Sequence, residues 1–295
     1  MLKKTLFFNS PCHLKIHNSQ LVILNKTTGE ENERPVEDIG FVVFEHHQIT
    51  FTQAVIRLLA KHNAAVIFCD EKHLPASMLF HLDSHQTQTE HFRAQVEASV
   101  PLKKQLWKQT VKAKVRNQAA MLDTAGQDGE PLRYMARQVK SGDPENIEAR
   151  AARFYWPRLF GDEFNRARYG NVPNNMLNYG YTILRAAVAR ALTGSGLLPT
   201  LGIHHHNKYN AYCLADDVME PYRPYVDQLV WELMNEGKAE EELSPELKMK
   251  LLQCLACDIK INRKQRPLMV GLSETTASLT RCFKGEAKRI KYPVL

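Results

Sequence analysis

The sequence predicts an α+β chain of two domains, a small N-terminal β-sheet domain followed by a larger all-α C-terminal domain. Three observations lead there. Over the first ~80 residues apolar runs recur at strand length. A polar stretch, Asp-Ser-His-Gln-Thr-Gln-Thr-Glu at 83–90, then breaks the pattern. Beyond it strand-length runs nearly vanish and helical periodicity takes over. The expected boundaries are a β domain at 1–82, a linker at 83–90 and a helical domain at 91–295.

The expected strands are Thr5–Asn9, Leu14–His17, Leu21–Leu24, Gly40–Phe44 and Ala64–Cys69. Asn18-Ser19 lies between the second and third, and its residue types suit a tight hairpin turn. Thr52 to His62 reads as a helix, with Ala54, Val55, Leu58 and Leu59 on one face. In the second half, Asp143-Pro144 reads as a helix start, Asp as N-cap and Pro at the first helical position. Asn175 to Leu192 carries Leu177, Tyr181, Leu184 and Val188 on one stripe. Ser244-Pro245 opens a further helix, with Leu247, Leu251, Cys254 and Leu255 facing a core. No internal repeat is present.

Lysine plus arginine number 39 against 32 acidic residues, an excess of seven that favours a polyanionic partner. The excess is concentrated. Residues 103–118 contain Lys103, Lys104, Lys108, Lys112, Lys114 and Arg116 with no acid, and Lys260 to Lys291 holds nine basic residues against Glu274 and Glu286. Lys103, Lys104, Lys108, Lys112, Arg263 and Lys264 are the candidates for contacts to a nucleic-acid backbone. Six scattered cysteines fit a reducing compartment. Lys3 and Lys4 precede too short an apolar stretch for a signal peptide, and Arg185 and Arg190 interrupt the most apolar later segment. A cytoplasmic protein with no membrane segment is expected.

The chemistry concentrates on Glu148, His205 and the pair Asp217/Glu220. Carboxylates and an imidazole from separate segments form a typical site for Mg²⁺ or Mn²⁺, and beside fixed positive charge such an ion commonly acts on phosphodiesters. Each residue has a plainer reading. Glu148 is an acid near a helix N-terminus, within reach of Arg153; against this, Ala149, Ala151 and Ala152 permit close helix approach and Phe154, Tyr155 and Trp156 anchor the helix. Within His204-His205-His206 a single ring would pass as a core histidine, but three in a row are less easily dismissed; zinc or nickel binding by the tract is the weaker alternative. Asp217-Val-Met-Glu220 has capping-box spacing, but Pro221 would clash with the preceding turn if it stood at the fourth helical position. Two carboxylates about 4 Å apart repel by about 4 kcal/mol at an effective dielectric of about 20. Convergence of Glu148 and Glu220 therefore demands a counter-charge, either a divalent cation or a neighbouring arginine. Cys254-Leu-Ala-Cys257 reads as core and Gly194-Ser-Gly196 as a turn.

Glu148 within Glu-Ala-Arg-Ala-Ala-Arg-Phe-Tyr-Trp, then Asn174-Asn-Met-Leu-Asn-Tyr-Gly-Tyr181, Gly202-Ile-His-His205, and Asp217-Val-Met-Glu-Pro-Tyr-Arg-Pro224 with Asp227 together resemble the CRISPR-associated protein 1 family. The resemblance spans the chain, and the second and third motifs look closest to the type II branch. It implies a prokaryotic, metal-dependent DNA endonuclease and integrase of spacer acquisition, joining 3′-hydroxyl ends of spacer DNA to the CRISPR repeat. It implies Mg²⁺ or Mn²⁺ held by Glu148, His205 and Glu220, which are also its catalytic residues. His205 is chosen over its neighbours because the family's histidine stands three residues after the glycine, here Gly202. Asp217, or Asp216 beside it, takes the family's nearby acidic position as a ligand or an assisting residue. It further implies an N-terminal β domain that forms a homodimer, double-stranded DNA as substrate, and CRISPR-associated protein 2 as assembly partner. Two other readings compete: a non-catalytic nucleic-acid-binding scaffold, and a phosphohydrolase acting on small phosphate esters.

Overall fold

The computed structural model describes residues 4–62, 64–71, 73–79, 85–167 and 170–295. The chain divides into two compact units, Met1–Leu82 and Asp83–Leu295. The first contains β1 (Lys4–Phe8), β2 (Cys12–His17), β3 (Gln20–Asn25), β4 (Glu31–Pro35), β5 (Ile39–Phe44), β6 (Thr50–Phe51), α1 (Gln53–Lys61), β7 (Ala65–Cys69) and β8 (Pro75–Met78). One sheet has the order β1-β5-β7-β8, parallel except at β7-β8; the other has the order β4-β3-β2-β6. Strand β5 is Ile-Gly-Phe-Val-Val-Phe and is buried at every residue, as a central strand covered on both faces must be. At the β2–β3 hairpin Asn18 and Ser19 adopt φ of 46° and 62°, the left-handed pair that matches strand twist. Leu14, Leu21, Val42, Val55, Leu59 and Val66 meet in the core.

Strands β4, β6 and β8 have no counterpart among the expected strands. Their sequences, Glu-Asn-Glu-Arg-Pro, Thr-Phe and Pro-Ala-Ser-Met, lack an apolar run, because each is short and mostly exposed at a sheet margin.

The second unit contains α2 (Gln88–Val96), α3 (Val100–Thr124), α4 (Glu130–Gln138), α5 (Ile147–Phe160), α6 (Asn174–Gly194), α7 (Cys213–Met219), a 3₁₀ turn (Glu220–Tyr222), α8 (Arg223–Asn235), α9 (Pro245–Leu252), β9 (Asp258–Ile261), β10 (Lys264–Pro267) and α10 (Leu268–Phe283). Two expectations change here. Of the 83–90 linker, Asp83 and Ser84 lie outside the described residues, while Gln88 to Glu90 already form the first turn of α2. The expected all-α domain also includes the β9–β10 hairpin. Its signal is brief: Ile259 and Ile261 alternate inward, and Asn262 and Arg263 take the left-handed turn conformation.

Helix α3 runs through this unit, burying Leu106, Trp107, Val111, Val115 and Leu122. Ser99 caps it and Pro101 stands in its first turn, where a missing N–H costs nothing. Helices α6 and α8 approach closely at Gly180, where a Cβ would stand 2.5 Å from Val226 Cγ1. Helix α5 is tied to the same pair. Tyr155 of α5 donates a hydrogen bond to Asp227 of α8 (2.9 Å), and Tyr181 of α6 donates to the other oxygen of that carboxylate. No helix among the described residues is long and apolar enough to cross a membrane.

Burial pushes the Asp227 carboxyl up to about 6 from an ordinary 3.8, although both phenols and the cations Arg223 and Arg166 pull the other way. A raised folded-state pKa means that this group's contribution is complete below about pH 4 and is lost as pH rises through about 6. The wild-type protein is expected to lose about 3 kcal/mol over that interval relative to an Asp227→Asn protein, which has no charge to bury. Urea unfolding of both proteins at pH 4, 5, 6 and 7 checks this; parallel profiles would refute it.

Candidate active site

The start of α5 places Glu148. Asp143 and Asn146 adopt left-handed backbone conformations, with φ of 51° and 49°. The Asp143 carboxylate then accepts the backbone N–H groups of Ile147 (2.9 Å) and Glu148 (3.0 Å), and Asn146 caps through Ala149 N. The helix thus begins at Ile147, three residues beyond the start expected from Asp143-Pro144. Asp143 still acts as an anion at the helix entrance, but across the turn. Arg153 donates to the Ala149 carbonyl, and Glu148 pairs with Lys114 rather than with Arg153, the partner of the plainer reading.

The second acidic segment is not a capping box. Asp217 lies inside α7, and Pro221 falls in the 3₁₀ turn joining α7 to α8, a junction that relieves the clash its ring would cause within an α-helix. Asp217 is fully buried and both its oxygens are engaged: Oδ2 accepts from Ile203 N (2.7 Å) and His204 N (3.0 Å), Oδ1 from His205 N (3.2 Å) and from the His205 ring at Nδ1 (2.6 Å). One carboxylate therefore folds the Gly202–His205 loop and fixes the His205 ring. That hydrogen bond also raises the His205 pKa above its ordinary value, against a smaller effect of burial. Gly202 is dictated by the same wrapping, since a Cβ there would meet the His205 carbonyl at 2.2 Å and Asp217 Oδ2 at 2.8 Å. The neighbouring rings behave differently. His204 stacks on Trp107 with centroids 4.1 Å apart, and His206 turns back to the His204 carbonyl. Asp216 points elsewhere, to Asn210 Nδ2 at 2.7 Å.

Glu220, 3% exposed, converges with Glu148 on a single cation, and that cation is Lys114 of α3. Lys114 Nζ donates to Glu148 Oε1 at 2.7 Å and lies 2.5 Å from Glu220 Oε2. Arg223 takes the other Glu220 oxygen at 3.0 Å. Burial opposes ionisation of Glu220, but Arg223 and Lys114 outweigh it and hold the carboxyl below its ordinary value. For Lys114 burial likewise opposes the charge, and Glu220 and Glu148 more than offset it. In sequence Lys114 belongs to the basic run 103–118; in the structure it turns inward. Its neighbours Lys103, Lys104, Lys108, Lys112 and Arg116 are partly or fully exposed, and Arg263 and Lys264 are exposed at the hairpin tip.

Among the described residues no three His, Cys, Asp or Glu side chains stand close enough as drawn to hold one ion. The donor types nevertheless fit a hard divalent cation. Glu220 Oε2 is buried, with the Lys114 ammonium 2.5 Å away. The two carboxylates already bracket one cationic position, and Asp217 engages His205 Nδ1, leaving Nε2 to a ligand. Burial pushes the Cys254 thiol well up and Cys257 up to about 12, and among the described residues no third His, Cys, Asp or Glu joins them to hold an ion.

An α+β chain with paired carboxylates and a carboxylate-oriented histidine in a helical unit is compatible with a metal-dependent enzyme, and comparison with known proteins gives the family. The chain belongs to the Cas1 family: residues 6–252 match the family described as CRISPR associated protein Cas1. It is 36% identical to the CRISPR-associated endonuclease Cas1 of Neisseria meningitidis, over 99% of this chain and 96% of that one. It is 25% identical to a Cas1 endonuclease of Francisella tularensis subsp. novicida, over 81% of each. Among solved structures, a casposase bound to integration product superposes with TM-score 0.82 at 22% identity, covering 97% of this chain and 92% of that one. The Thermotoga maritima CAS1 protein superposes at 0.73 and 15%, covering 96% and 98%. These structures share the fold.

Asp217→Ala is expected to cost about 3–5 kcal/mol, since it orphans three backbone donors and the His205 ring together. A melting temperature lower by roughly 10 °C measures it. A change under 1 kcal/mol would mean that the carboxylate does not hold the loop.

Proposed function

We propose that this chain is the metal-dependent DNA integrase and endonuclease of CRISPR adaptation, joining 3′-hydroxyl ends of spacer DNA to the CRISPR repeat. The observation that carries this reading is the convergence of Glu148 and Glu220 on one cationic position beside a histidine fixed by Asp217. The endonuclease name of the Neisseria relative and the integration product held by the structurally similar casposase support it.

Glu148, Glu220 and His205 would hold Mg²⁺ or Mn²⁺, and Asp217 acts as the positioning residue that presents His205 Nε2. When bound, such an ion offsets charge on the attacked phosphodiester and favours ionisation of the attacking hydroxyl or water. Glu148 stands on the rigid first turn of α5, and the buried Glu220 fixes the floor of the site. Trp107 stacks on His204 and so limits where the loop can move. Lys103, Lys104, Lys108 and Lys112 of α3, with Arg263 and Lys264, supply positive charge for double-stranded DNA. A homodimer through residues 1–82 and assembly with CRISPR-associated protein 2 complete the proposal. A Cas6-RT-Cas1–Cas2 complex and a TtCas1–DNA complex, whose structures share the fold at TM-scores of 0.72 and 0.60, support the small partner and DNA as partners here.

One observation favours a second reading: Lys114 between the carboxylates and Arg223 beside Glu220 already match the two glutamate charges, as a non-catalytic DNA-binding scaffold would have it. A strand-transfer assay on a repeat-containing plasmid with Mn²⁺, with and without the small partner, separates the two. Wild-type protein is expected to join and cut DNA, while Glu148→Ala, His205→Ala and Glu220→Ala proteins fall to background. Equal activity in all four would sink the catalytic assignment. Binding without cleavage under any metal would establish the scaffold.

Lys108→Ala/Lys112→Ala should weaken duplex binding evenly across sequences and reduce the slope of log K against log salt by about 1 per lysine. Fluorescence anisotropy between 50 and 200 mM salt measures this, and an unchanged slope would remove α3 from the DNA path.

A further inference from the structure

We infer that Lys114 is the resident counter-cation of this site: its ammonium holds the position between Glu148 and Glu220 until a divalent cation displaces it. The inference rests on the proposed metal site and adds a competitor within the chain. Lys114 comes from α3, whereas Glu148 and Glu220 come from α5 and the α7–α8 junction. Among the cations of residues 103–118 it is the one that is buried, with a side chain 10% exposed.

Two facts distinguish a placeholder from a purely structural ion pair. A buried carboxylate cannot remain uncompensated, and Glu220 has two cations, Arg223 on Oε1 and Lys114 by Oε2. Arg223 approaches at hydrogen-bonding distance. Lys114 bridges the two carboxylates, 2.7 Å from Glu148 Oε1 and 2.5 Å from Glu220 Oε2, so one ammonium occupies the position a shared metal ion would take. Lysine also suits a displaceable role, being a compact charge on a flexible four-carbon stem.

The charge balance gives a consequence. Lys114 and Arg223 against Glu148 and Glu220 sum to zero, and the Asp217 carboxylate on His205 adds a further negative charge, so these side chains offer no net attraction to a phosphate backbone. Exchange of the ammonium for a doubly charged ion leaves the centre positive while the lysine keeps its charge nearby. Metal loading would thereby switch this point to DNA-attracting.

The test uses Mn²⁺ alone, titrated into the full chain and followed by calorimetry and by the paramagnetic signal of free Mn²⁺. Lys114→Met and Lys114→Gln are expected to bind Mn²⁺ at least tenfold more tightly than wild type. In EDTA they should melt at lower temperature than wild type, with a larger rise when Mn²⁺ is added. Variants that fold only with Mn²⁺ would support the inference in its strongest form, as would variants that bind where wild type does not. If wild type and folded variants bind equally, or the variants bind more weakly, the inference falls and the metal site stands. If none binds, the metal site falls and takes the inference with it. A measurement on wild type is independent of folding in the variants: Lys114 acetylation, read by mass spectrometry, should rise severalfold when Mg²⁺ is added to EDTA-treated protein. Protection unchanged by saturating Mg²⁺ would overturn the displacement.

Discussion

The helical unit is organised around the cost of holding two carboxylates in its interior. Glu148, partly exposed, and Glu220, buried, share one cationic position, and Lys114 and Arg223 supply the compensating charge. Removing one partner from such a buried set typically costs about 3–5 kcal/mol, whereas replacing the whole set with apolar side chains of similar volume is often neutral or stabilising. A fold seeking stability alone has little reason to keep it. The arrangement is therefore best understood as a site that the surrounding helices are built to tolerate.

Two further constraints make the geometry definite. Asp217 spends both its oxygens on the Gly202–His205 segment, converting a loop into a rigid mount for one imidazole. Asp227, bonded to Tyr155 and Tyr181, ties α8 to α5 and α6, so that the helices bearing Arg223 and Glu148 do not drift apart. Close backbone approach supports both: Gly202 lets the loop cross Asp217, and Gly180 lets α6 meet Val226 of α8. The motifs that carry the family resemblance thus mix the proposed ligand residues with others whose work is mechanical.

Much of the architecture was legible because it follows local rules. The long apolar β5, the Asn18-Ser19 turn, the striped α6 and the Ser244-capped α9 each announce themselves within one window of sequence. Strands β4, β6 and β8 and the β9–β10 hairpin did not, since their hydrogen-bond partners rather than their own apolar content make them strands. The site was legible by residue type: Glu148, His205, Asp217 and Glu220 were all singled out, and all lie in or beside the cluster. Lys114 was hidden in a basic run, and only the buried periodicity of α3, in which Trp107 and Lys114 are seven residues apart on one face, could have marked it as inward.

By itself the sequence determined the division into a strand-rich and a helical part, the family, and the need for a counter-charge wherever its two glutamates met. Those properties depend on periodicity, turn chemistry and motif, which a linear chain carries in full. Tertiary structure alone decided which cation meets the glutamates, that Asp217 serves the histidine with both oxygens, and that the helix bearing Glu148 starts at Ile147. Those depend on distances and burial between residues up to about a hundred positions apart, and burial, not identity, decides whether a lysine is a solvent charge or the partner of a buried acid.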